Sequence, residues 1–153
     1  MTSHPAPPDG CFRGPVHLYA VRVYFEDTDM SGVVYHANYL RWFERARSDM
    51  LRLIGIDQRA AQEAGAGFYA VAGLTIRYAA PARLDDDILI ESHPLELRAA
   101  SCRIRQRALR AATLLAEADV RVGFVGADGR PRRQPEPWRA AFARLVATGE
   151  PPA

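Results

Sequence analysis

The feature that most constrains how this chain can fold is one long helical pattern, followed by several segments that alternate with a period of two. Between Asn38 and Ile54, apolar residues recur at helical spacing in a stripe wide enough to be covered on more than one side. Gly55 follows at the position where a left-handed residue ends many helices. The sequence therefore predicts one long central helix that other elements cover.

Segments of alternating apolar and polar residues lie on both sides of this helix, and each predicts a half-buried strand. Together they predict an antiparallel sheet with one apolar face. Such a face and one largely apolar helix favour an α+β domain in which the sheet wraps around the helix. The predicted strands are His17–Phe25, a segment around Leu74–Tyr78, Ile88–Leu97, and a hairpin of Cys102–Ala108 and Leu114–Phe124 that turns at Ala111.

Shorter elements and the chain ends complete the predicted domain. A helix from Asp57 to Ala64 has Asp57 as N-cap and Gly65 as terminator, and a closing helix spans about Trp138–Val146. Residues 1–16 are rich in Pro and lack apolar periodicity, which predicts a mobile tail. The predicted domain covers residues 17–147, and residues 148–153 are a C-terminal tail.

The charge of the chain is balanced, although it contains Arg and no Lys. Lys and Arg together number 20, Asp and Glu 18, and the net charge is +2. A protein that follows nucleic-acid phosphates usually has an unbalanced basic face, so this balance argues against nucleic-acid binding. The arginines are interpreted as solvated or ion-paired residues. They are predicted to form the hairpin pairs Arg105–Glu117 and Arg103–Asp119, and a polar helix margin of Arg41, Arg45, Arg47 and Arg52.

Other features narrow the class of protein. No apolar run approaches the length of a membrane span, and the N-terminal segment lacks the apolar region of a secretory signal. Cys11 and Cys102 are too few for a disulfide framework or a metal cluster. These features favour a protein of the reducing cytoplasm, with no membrane insertion.

The densest group of reactive side chains lies just before the long helix, in residues 26–29 (Glu-Asp-Thr-Asp) and His36. An Asp-x-Asp pair can hold a divalent metal, but it needs further ligands and few are nearby. A Ser-His-Asp triad built on Ser31 lacks the Gly-x-Ser-x-Gly elbow. A purely structural interpretation makes Asp27 and Thr28 an Asx-type turn, with His36 packed at the helix start.

The fourth interpretation is a carboxylate that faces the start of a helix. Unpaired N–H groups of the first helical turn carry the positive end of the helix dipole and can hold a developing oxyanion. Asp29 lies seven residues before His36 and could reach the same carbonyl as nucleophile or as a base that activates water. Gly32 would let the backbone approach a substrate closely. The spacing permits this site without excluding the other interpretations.

Two segments resemble a known family. They are residues 21–39, VRVYFEDTDMSGVVYHANY, which continue into FERAR at 43–47, and residues 78–86, YAAPARLDD. The chain resembles, over about residues 17–146, the hotdog-fold acyl-CoA thioesterases of the 4-hydroxybenzoyl-CoA thioesterase family, in the branch associated with the bacterial Tol–Pal envelope system. The resemblance implies an antiparallel sheet wrapped around the long helix, in agreement with the strand and helix patterns.

The resemblance also implies an activity and the residues that carry it. The chain would hydrolyse acyl-CoA thioesters without a metal or another cofactor, coenzyme A being part of the substrate. The family's catalytic carboxylate maps onto Asp29, and the N–H that polarises the thioester carbonyl lies near His36, whose imidazole could assist. Met30 and Ser31 replace smaller residues of the family turn, which leaves the acyl preference open. The substrate-binding residues implied are Gly32, Tyr35, Arg98 and Ser101.

The expected partners follow from the same resemblance. The family forms dimers that pair into tetramers, so a homo-oligomer with sites at subunit boundaries is expected. The substrate is expected to be a short-chain or aromatic acyl-CoA, with acyl carrier protein as another thioester partner. The alternative is a non-hydrolytic acyl-CoA or acyl-carrier-protein binding module linked to envelope or phospholipid metabolism. A hotdog dehydratase is disfavoured, because its usual pairing of His with an acid is not apparent.

Overall fold

The computed structural model describes residues 3–147, so the predicted C-terminal tail, residues 148–153, lies outside the described residues. Six strands and three helices are present in this part of the chain. The strands are β1 (Cys11–Arg13), β2 (Val16–Arg22), β3 (Phe68–Tyr78), β4 (Asp87–Leu97), β5 (Ser101–Arg110) and β6 (Thr113–Val125). The helices are α1 (Asn38–Leu53), α2 (Gln58–Glu63) and α3 (Glu136–Ala147), and a single 3-10 turn spans Phe25–Asp27.

The strands form one antiparallel sheet in the order β1-β2-β4-β5-β6-β3. The long β3 is therefore an edge strand, although it precedes β4 to β6 in the chain. This arrangement confirms the predicted α+β architecture of an antiparallel sheet and one long helix. Within residues 3–147, no helix combines the length and the apolar character needed to cross a membrane.

The core lies between α1 and the apolar face of the sheet. Trp42, Phe43 and Met50 of α1 are fully buried, as are Ile90 of β4 and Ile104 of β5. Burying a large apolar side chain of this kind stabilises the fold by about 1.5–3 kcal/mol. The helical stripe read from the sequence is thus the face that joins the helix to the sheet.

The predicted helix boundaries are confirmed by their terminating residues. Gly55 has a φ of +88°, which is the left-handed conformation that ends α1. The Asp57 carboxylate accepts a hydrogen bond from the N–H of Ala60 at 2.9 Å, as an N-cap does. Gly65, with a φ of +76°, follows α2.

Two predictions for the N-terminal part of the chain were wrong. The segment predicted as a tail contains β1, which pairs with β2, and the N–H of Gly10 donates to the Asp49 carboxylate at 3.0 Å. The first long strand ends at Arg22, three residues before the predicted end. Phe25 lies in the 3-10 turn and is 83% exposed, whereas the alternating pattern placed it with the buried Val23.

The predicted register of the β5–β6 hairpin was also wrong. An irregularity between Ala108 and Leu109 shifts the pairing, so Arg105 lies opposite Asp119. Arg107 instead pairs with Glu117, at 3.5 Å. The Arg103–Asp119 ion pair forms at 3.4 Å, but diagonally across the strands. The Arg-rich face is therefore ion-paired, although its partners differ from those predicted.

One residue predicted on the surface, Arg47, and one histidine, His93, are largely enclosed. Arg47, expected in the polar helix margin, donates a hydrogen bond to Gln106 Oε1 at 2.9 Å, and burial lowers the pKa of its guanidinium. His93 is only 5% exposed, and burial lowers the pKa of its imidazole. Arg47 thus contacts β5, and His93 lies beside Glu91, with its Nε2 3.4 Å from a carboxylate oxygen. Neither contact follows from a local sequence pattern.

A row of buried polar residues crosses the sheet beneath α1. His17, Ser92 and Gln106 lie opposite one another on β2, β4 and β5, and all are fully buried. The Gln106 amide donates to the Ser92 hydroxyl and to the Phe43 carbonyl, at 2.9 Å each. This row ties the helix to the sheet by hydrogen bonds as well as by apolar packing.

Candidate active site

Asp29 lies in a narrow loop between the 3-10 turn and α1. A single antiparallel bridge joins Thr28 to Val34 and closes the loop. Inside it, the Asp29 N–H donates to the Val33 carbonyl at 3.2 Å, and the Gly32 N–H donates to the Asp29 carbonyl at 3.0 Å. Gly32 has a φ of +80°, which a side chain would strain. The loop therefore requires this glycine in order to present Asp29 to solvent.

One oxygen of the Asp29 carboxylate is fixed by the loop itself. Oδ1 accepts hydrogen bonds from the Ser31 hydroxyl and from the Ser31 N–H, the latter at 2.8 Å. These bonds, first that from the hydroxyl, lower the pKa of the Asp29 carboxyl, and the nearby His36 adds to the effect. Oδ2 accepts no hydrogen bond within residues 3–147. Asp29 is thus an ionised, exposed carboxylate with one oxygen free.

Asp27 has a structural role that the sequence only partly indicated. It is buried, and its carboxylate accepts from the Tyr24 N–H at 2.8 Å and from the Asn38 side-chain amide at 2.6 Å. Its own carbonyl accepts from the Tyr35 N–H at 2.8 Å. Asp27 therefore joins the 3-10 turn to the first residue of α1. The Asx-type turn predicted at Asp27 is wrong: its carboxylate accepts from a residue three positions earlier, and the Asx turn is instead formed by Asp29 with the Ser31 N–H.

The backbone just before α1 presents free donors. In the described part of the chain, the N–H groups of His36 and Ala37 find no hydrogen-bond acceptor. The carbonyl of Tyr35 accepts from the Asn38 N–H at 2.9 Å, and the carbonyl of His36 accepts from the Tyr78 hydroxyl at 2.8 Å. Each free N–H therefore belongs to a peptide group whose carbonyl already accepts a hydrogen bond.

Three aromatic side chains, those of Tyr35, His36 and Tyr78, lie together at this backbone. The rings of Tyr35 and His36 are 4.5 Å apart, and both residues are exposed. The ring of Tyr78 lies 6.3 Å from that of His36, perpendicular to it. The Val34 N–H donates to the Ala82 carbonyl at 2.8 Å, so the second family segment packs against the first. Tyr78 was not predicted as a site residue, although it begins that second segment.

The remaining predicted site residues lie at the other end of the sheet. Arg98 and Ser101 belong to the β4–β5 turn, where the Arg98 N–H donates to the Ser101 carbonyl at 2.8 Å. Ser101 opposes Gly123, whereas Tyr78, which contacts His36, lies in line with Ala108 at the far end of β5. Seven residues of strand span roughly 23 Å. One protomer therefore does not bring Arg98 and Ser101 beside Asp29.

A cavity of about 140 Å³ also lies at this second end of the sheet. It is enclosed by the middle of α1, the start of β3, the inner faces of β5 and β6, and α3. Neither Asp29 nor His36 lines it. Its lining is mostly apolar but includes two charged side chains of α1, Glu44 and Arg47.

Comparison with known proteins identifies the family of this chain. Residues 23–146 match the sequence profile of the Thioesterase-like superfamily. The chain belongs to this superfamily. Among its relatives, the acyl-CoA thioesterase YbgC of Haemophilus influenzae is 39% identical over 128 residues, which are 83% of this chain and 94% of the relative. The acyl-CoA thioester hydrolase YbgC of Escherichia coli O6:H1 is 43% identical over 126 residues, 81% of this chain and 93% of the relative.

A solved structure supports the same assignment. The crystal structure of a probable thioesterase from Bartonella henselae matches with a TM-score of 0.75 and 36% identity, covering 78% of this chain and 99% of that protein. The predicted membership of a hotdog thioesterase family is thereby confirmed. The link to the Tol–Pal branch stays a prediction. Among residues 3–147, no group of three or more His, Cys, Asp or Glu side chains is placed to hold a metal ion.

Proposed function

We propose that this protein hydrolyses acyl-CoA thioesters to a free acid and coenzyme A, with Asp29 as the catalytic carboxylate. The observation that carries this proposal is the pairing of an ionised, exposed carboxylate with the free amides of His36 and Ala37 at the start of α1. Such amides stabilise the charge that develops on the oxygen of a carbonyl under attack. The relatives named above act on acyl-CoA thioesters, which agrees with this chemistry.

The reaction can follow either of two routes from the same geometry. As a base, Asp29 takes a proton from water while the water oxygen bonds to the thioester carbon. The resulting oxyanion is held by the free amides, and its collapse breaks the C–S bond and releases the CoA thiolate, which takes up a proton. As a nucleophile, Asp29 bonds to the carbon first, and collapse of the oxyanion then breaks the C–S bond and releases the CoA thiolate, which takes up a proton. Water hydrolyses the resulting mixed anhydride to the free acid and the Asp29 carboxylate. Both routes need Asp29 ionised.

The assembly that completes the site is proposed to be a dimer formed along β3. This edge strand exposes Val71, Leu74 and Tyr78, and a long apolar edge is an aggregation site unless another strand covers it. Antiparallel pairing with β3 of a second copy would place the start of one β3 beside the end of the other. That pairing brings the cavity and the β4–β5 turn of one copy toward Asp29 of its partner. Two such dimers would form the expected tetramer.

In this dimer the two ends of the sheet would bind different parts of the substrate. The cavity of one copy receives the acyl group, and its volume suits a short-chain or aromatic acyl group. Arg98 and Ser101 of the same copy contact the CoA moiety, although Arg98 also pairs with Glu96 at 2.7 Å. Asp29, Gly32, Tyr35 and His36 of the other copy surround the thioester. The substrate and the two free cysteines favour a cytoplasmic location.

A panel of thioesters tests the proposed function directly. The full chain is incubated with short-chain, long-chain and aromatic acyl-CoAs and with matching acyl-carrier-protein thioesters, and release of free thiol is followed. Hydrolysis of short-chain or aromatic acyl-CoAs is expected. Binding without thiol release would contradict the proposal and support the non-hydrolytic module. If only the carrier-protein thioesters are hydrolysed, the thioester partner is acyl carrier protein rather than CoA.

Ser31→Ala is expected to move the acidic limb of the pH profile of kcat/KM to higher pH. The hydroxyl of Ser31 is the largest cause of the lowered pKa of Asp29, so its removal raises that pKa. Because both routes need ionised Asp29, activity is lost as pH falls through its pKa, and a higher pKa means loss at higher pH. Thr113→Ala, which removes a hydroxyl at the tip of the β5–β6 hairpin, should leave the profile unchanged. An unmoved limb in Ser31→Ala would argue against Asp29 as the titrating group.

Leu74→Asp is expected to give a folded monomer with little activity. The substitution places a carboxylate in the middle of the apolar edge of β3, where two copies would bring two such charges together. Light scattering at micromolar concentration should give the mass of one chain, and thiol release should fall with it. Leu53→Asp, at a similarly exposed leucine near the end of α1, is the matched control. A wild-type monomer that is fully active would overturn the proposed composite site.

A further inference from the structure

Tyr78 makes one specific polar contact with the candidate active site. Its hydroxyl donates to the carbonyl of His36 at 2.8 Å, across 42 positions of the sequence. Its ring packs edge-on against the rings of His36 and Tyr39, at 6.3 and 5.6 Å. The last residue of β3 is thereby fixed to the backbone just before α1.

The accepting carbonyl belongs to the same peptide as the Ala37 N–H. A hydrogen bond donated to a peptide carbonyl withdraws electrons from it and makes the N–H of that peptide a stronger donor. The N–H of Ala37 has no acceptor among the described residues, so the polarised donor stays free for a ligand. The His36 N–H is polarised in the same way. It shares a peptide group with the carbonyl of Tyr35, and that carbonyl accepts a hydrogen bond from the Asn38 N–H at 2.9 Å.

The hydroxyl of Tyr78 is suited to constant donation. Although Tyr78 is partly exposed, partial burial of its phenol raises the pKa of that group, so the proton that it donates is present throughout the neutral range. The Tyr39 ring on one side and the His36 ring on the other restrict its orientation. An aliphatic residue at this position would keep the strand pairing with β6 but leave the His36 carbonyl without this donor.

We propose that Tyr78 is a positioning residue of the oxyanion site: its hydroxyl orients and polarises the His36–Ala37 peptide, whose N–H receives the thioester oxyanion. This inference rests on the proposed function for its catalytic consequence. Tyr78 does not touch the substrate in this role; it acts through the Ala37 amide.

The test is Tyr78→Phe, which removes the hydroxyl and keeps the ring. Without this hydrogen bond the Ala37 N–H is a weaker donor to the oxyanion. We expect kcat to fall by roughly 5–15-fold, with KM nearly unchanged. The acidic limb of the pH profile should stay in place, because Asp29 and Ser31 are untouched. Tyr19→Phe is the matched control, since the Tyr19 hydroxyl makes no hydrogen bond within residues 3–147. A Tyr78→Phe enzyme with wild-type kcat, or with a change in KM alone, would overturn the inference.

A second measurement does not depend on activity. In ¹H–¹⁵N spectra, the Ala37 amide proton of Tyr78→Phe should move upfield because its peptide is less polarised, while Tyr19→Phe leaves it in place. An unmoved Ala37 resonance would overturn the inference whatever the enzyme does. If wild-type protein releases no thiol from any acyl-CoA, the proposed function fails. The chemical shift of the Ala37 amide proton still decides whether Tyr78 polarises this peptide.

Discussion

Asp29→Asn is expected to lower kcat for acyl-CoA hydrolysis by about 10²–10⁴-fold, the range that a positioned base contributes, and by more if the carboxylate is the nucleophile. The amide can still accept hydrogen bonds from Ser31 through its oxygen, so the loop that Thr28 and Val34 close should persist. What is lost is the negative charge and the free oxygen that takes a proton or attacks the carbon. KM should change far less than kcat.

A second exposed aspartate, Asp128, provides the matched control. Asp128 lies in the turn after β6 and accepts from the Arg130 N–H at 3.0 Å, much as Asp29 accepts from Ser31. Asp128→Asn should therefore retain wild-type kcat. Circular dichroism and the mass in solution should match wild type for both variants. Near-normal thiol release by Asp29→Asn would end the assignment of Asp29 as the catalytic carboxylate.

The helix and the strands were largely predictable from the sequence because each has its own period. The stripe on α1 and the alternation in β3 to β6 are local patterns that persist over many residues. The short β1 was missed because only pairing with β2 stabilises three residues that have no pattern of their own. The β5–β6 register was missed because the turn contains two residues, Ala111 and Ala112, rather than one, and an irregularity between Ala108 and Leu109 adds a second one-residue shift.

The loop that carries the candidate site could be located from the sequence, but the distant residues that contact it could not. Asp29, Gly32 and His36 lie within one short segment, so spacing alone brings them together. The hydrogen bond from Tyr78 to His36 joins residues that are distant in the chain, so no local sequence pattern predicts it. Arg98 and Ser101 show the opposite case, because this fold places them far from Asp29 and only the proposed dimer would bring them near it.

A buried polar pair, His17 and Asp49, joins the N-terminal part of the fold to α1. His17 is fully buried on β2, and its Nε2 lies 2.6 Å from Asp49 Oδ2 on α1. The same oxygen accepts from the Gly10 N–H at 3.0 Å. Burial lowers the pKa of His17, although the hydrogen bond to Asp49 and its charge act in the opposite direction. One carboxylate thus satisfies two buried donors from the β1–β2 region.

Asp49→Ala is expected to lower the free energy of unfolding by about 1.5–3 kcal/mol at pH 7, the range for loss of hydrogen bonds to a charged acceptor, since His17 is neutral at this pH. The N–H groups of His17 and Gly10 would be left buried without an acceptor. Urea unfolding at pH 7 measures the change. Glu44→Ala removes an exposed carboxylate from the same helix, one that accepts from the Ser48 hydroxyl, and should cost no more than about 0.5 kcal/mol. A loss below about 1 kcal/mol in Asp49→Ala would contradict the role assigned to the pair.

The pH dependence of stability gives the same pair an independent signature. Because folding lowers the pKa of His17, the unfolded chain binds its proton more tightly, and stability is lost as pH falls below the unfolded value of about 6.5. The loss stops once pH falls below the folded pKa. Asp49→Ala removes both influences that raise this pKa, so its stability should continue to fall at pH values where wild type has levelled off. His93, whose pKa burial also lowers, contributes equally to both proteins and cancels in the difference. Parallel curves for the two proteins between pH 8 and pH 4 would show that Asp49 does not govern the protonation of His17.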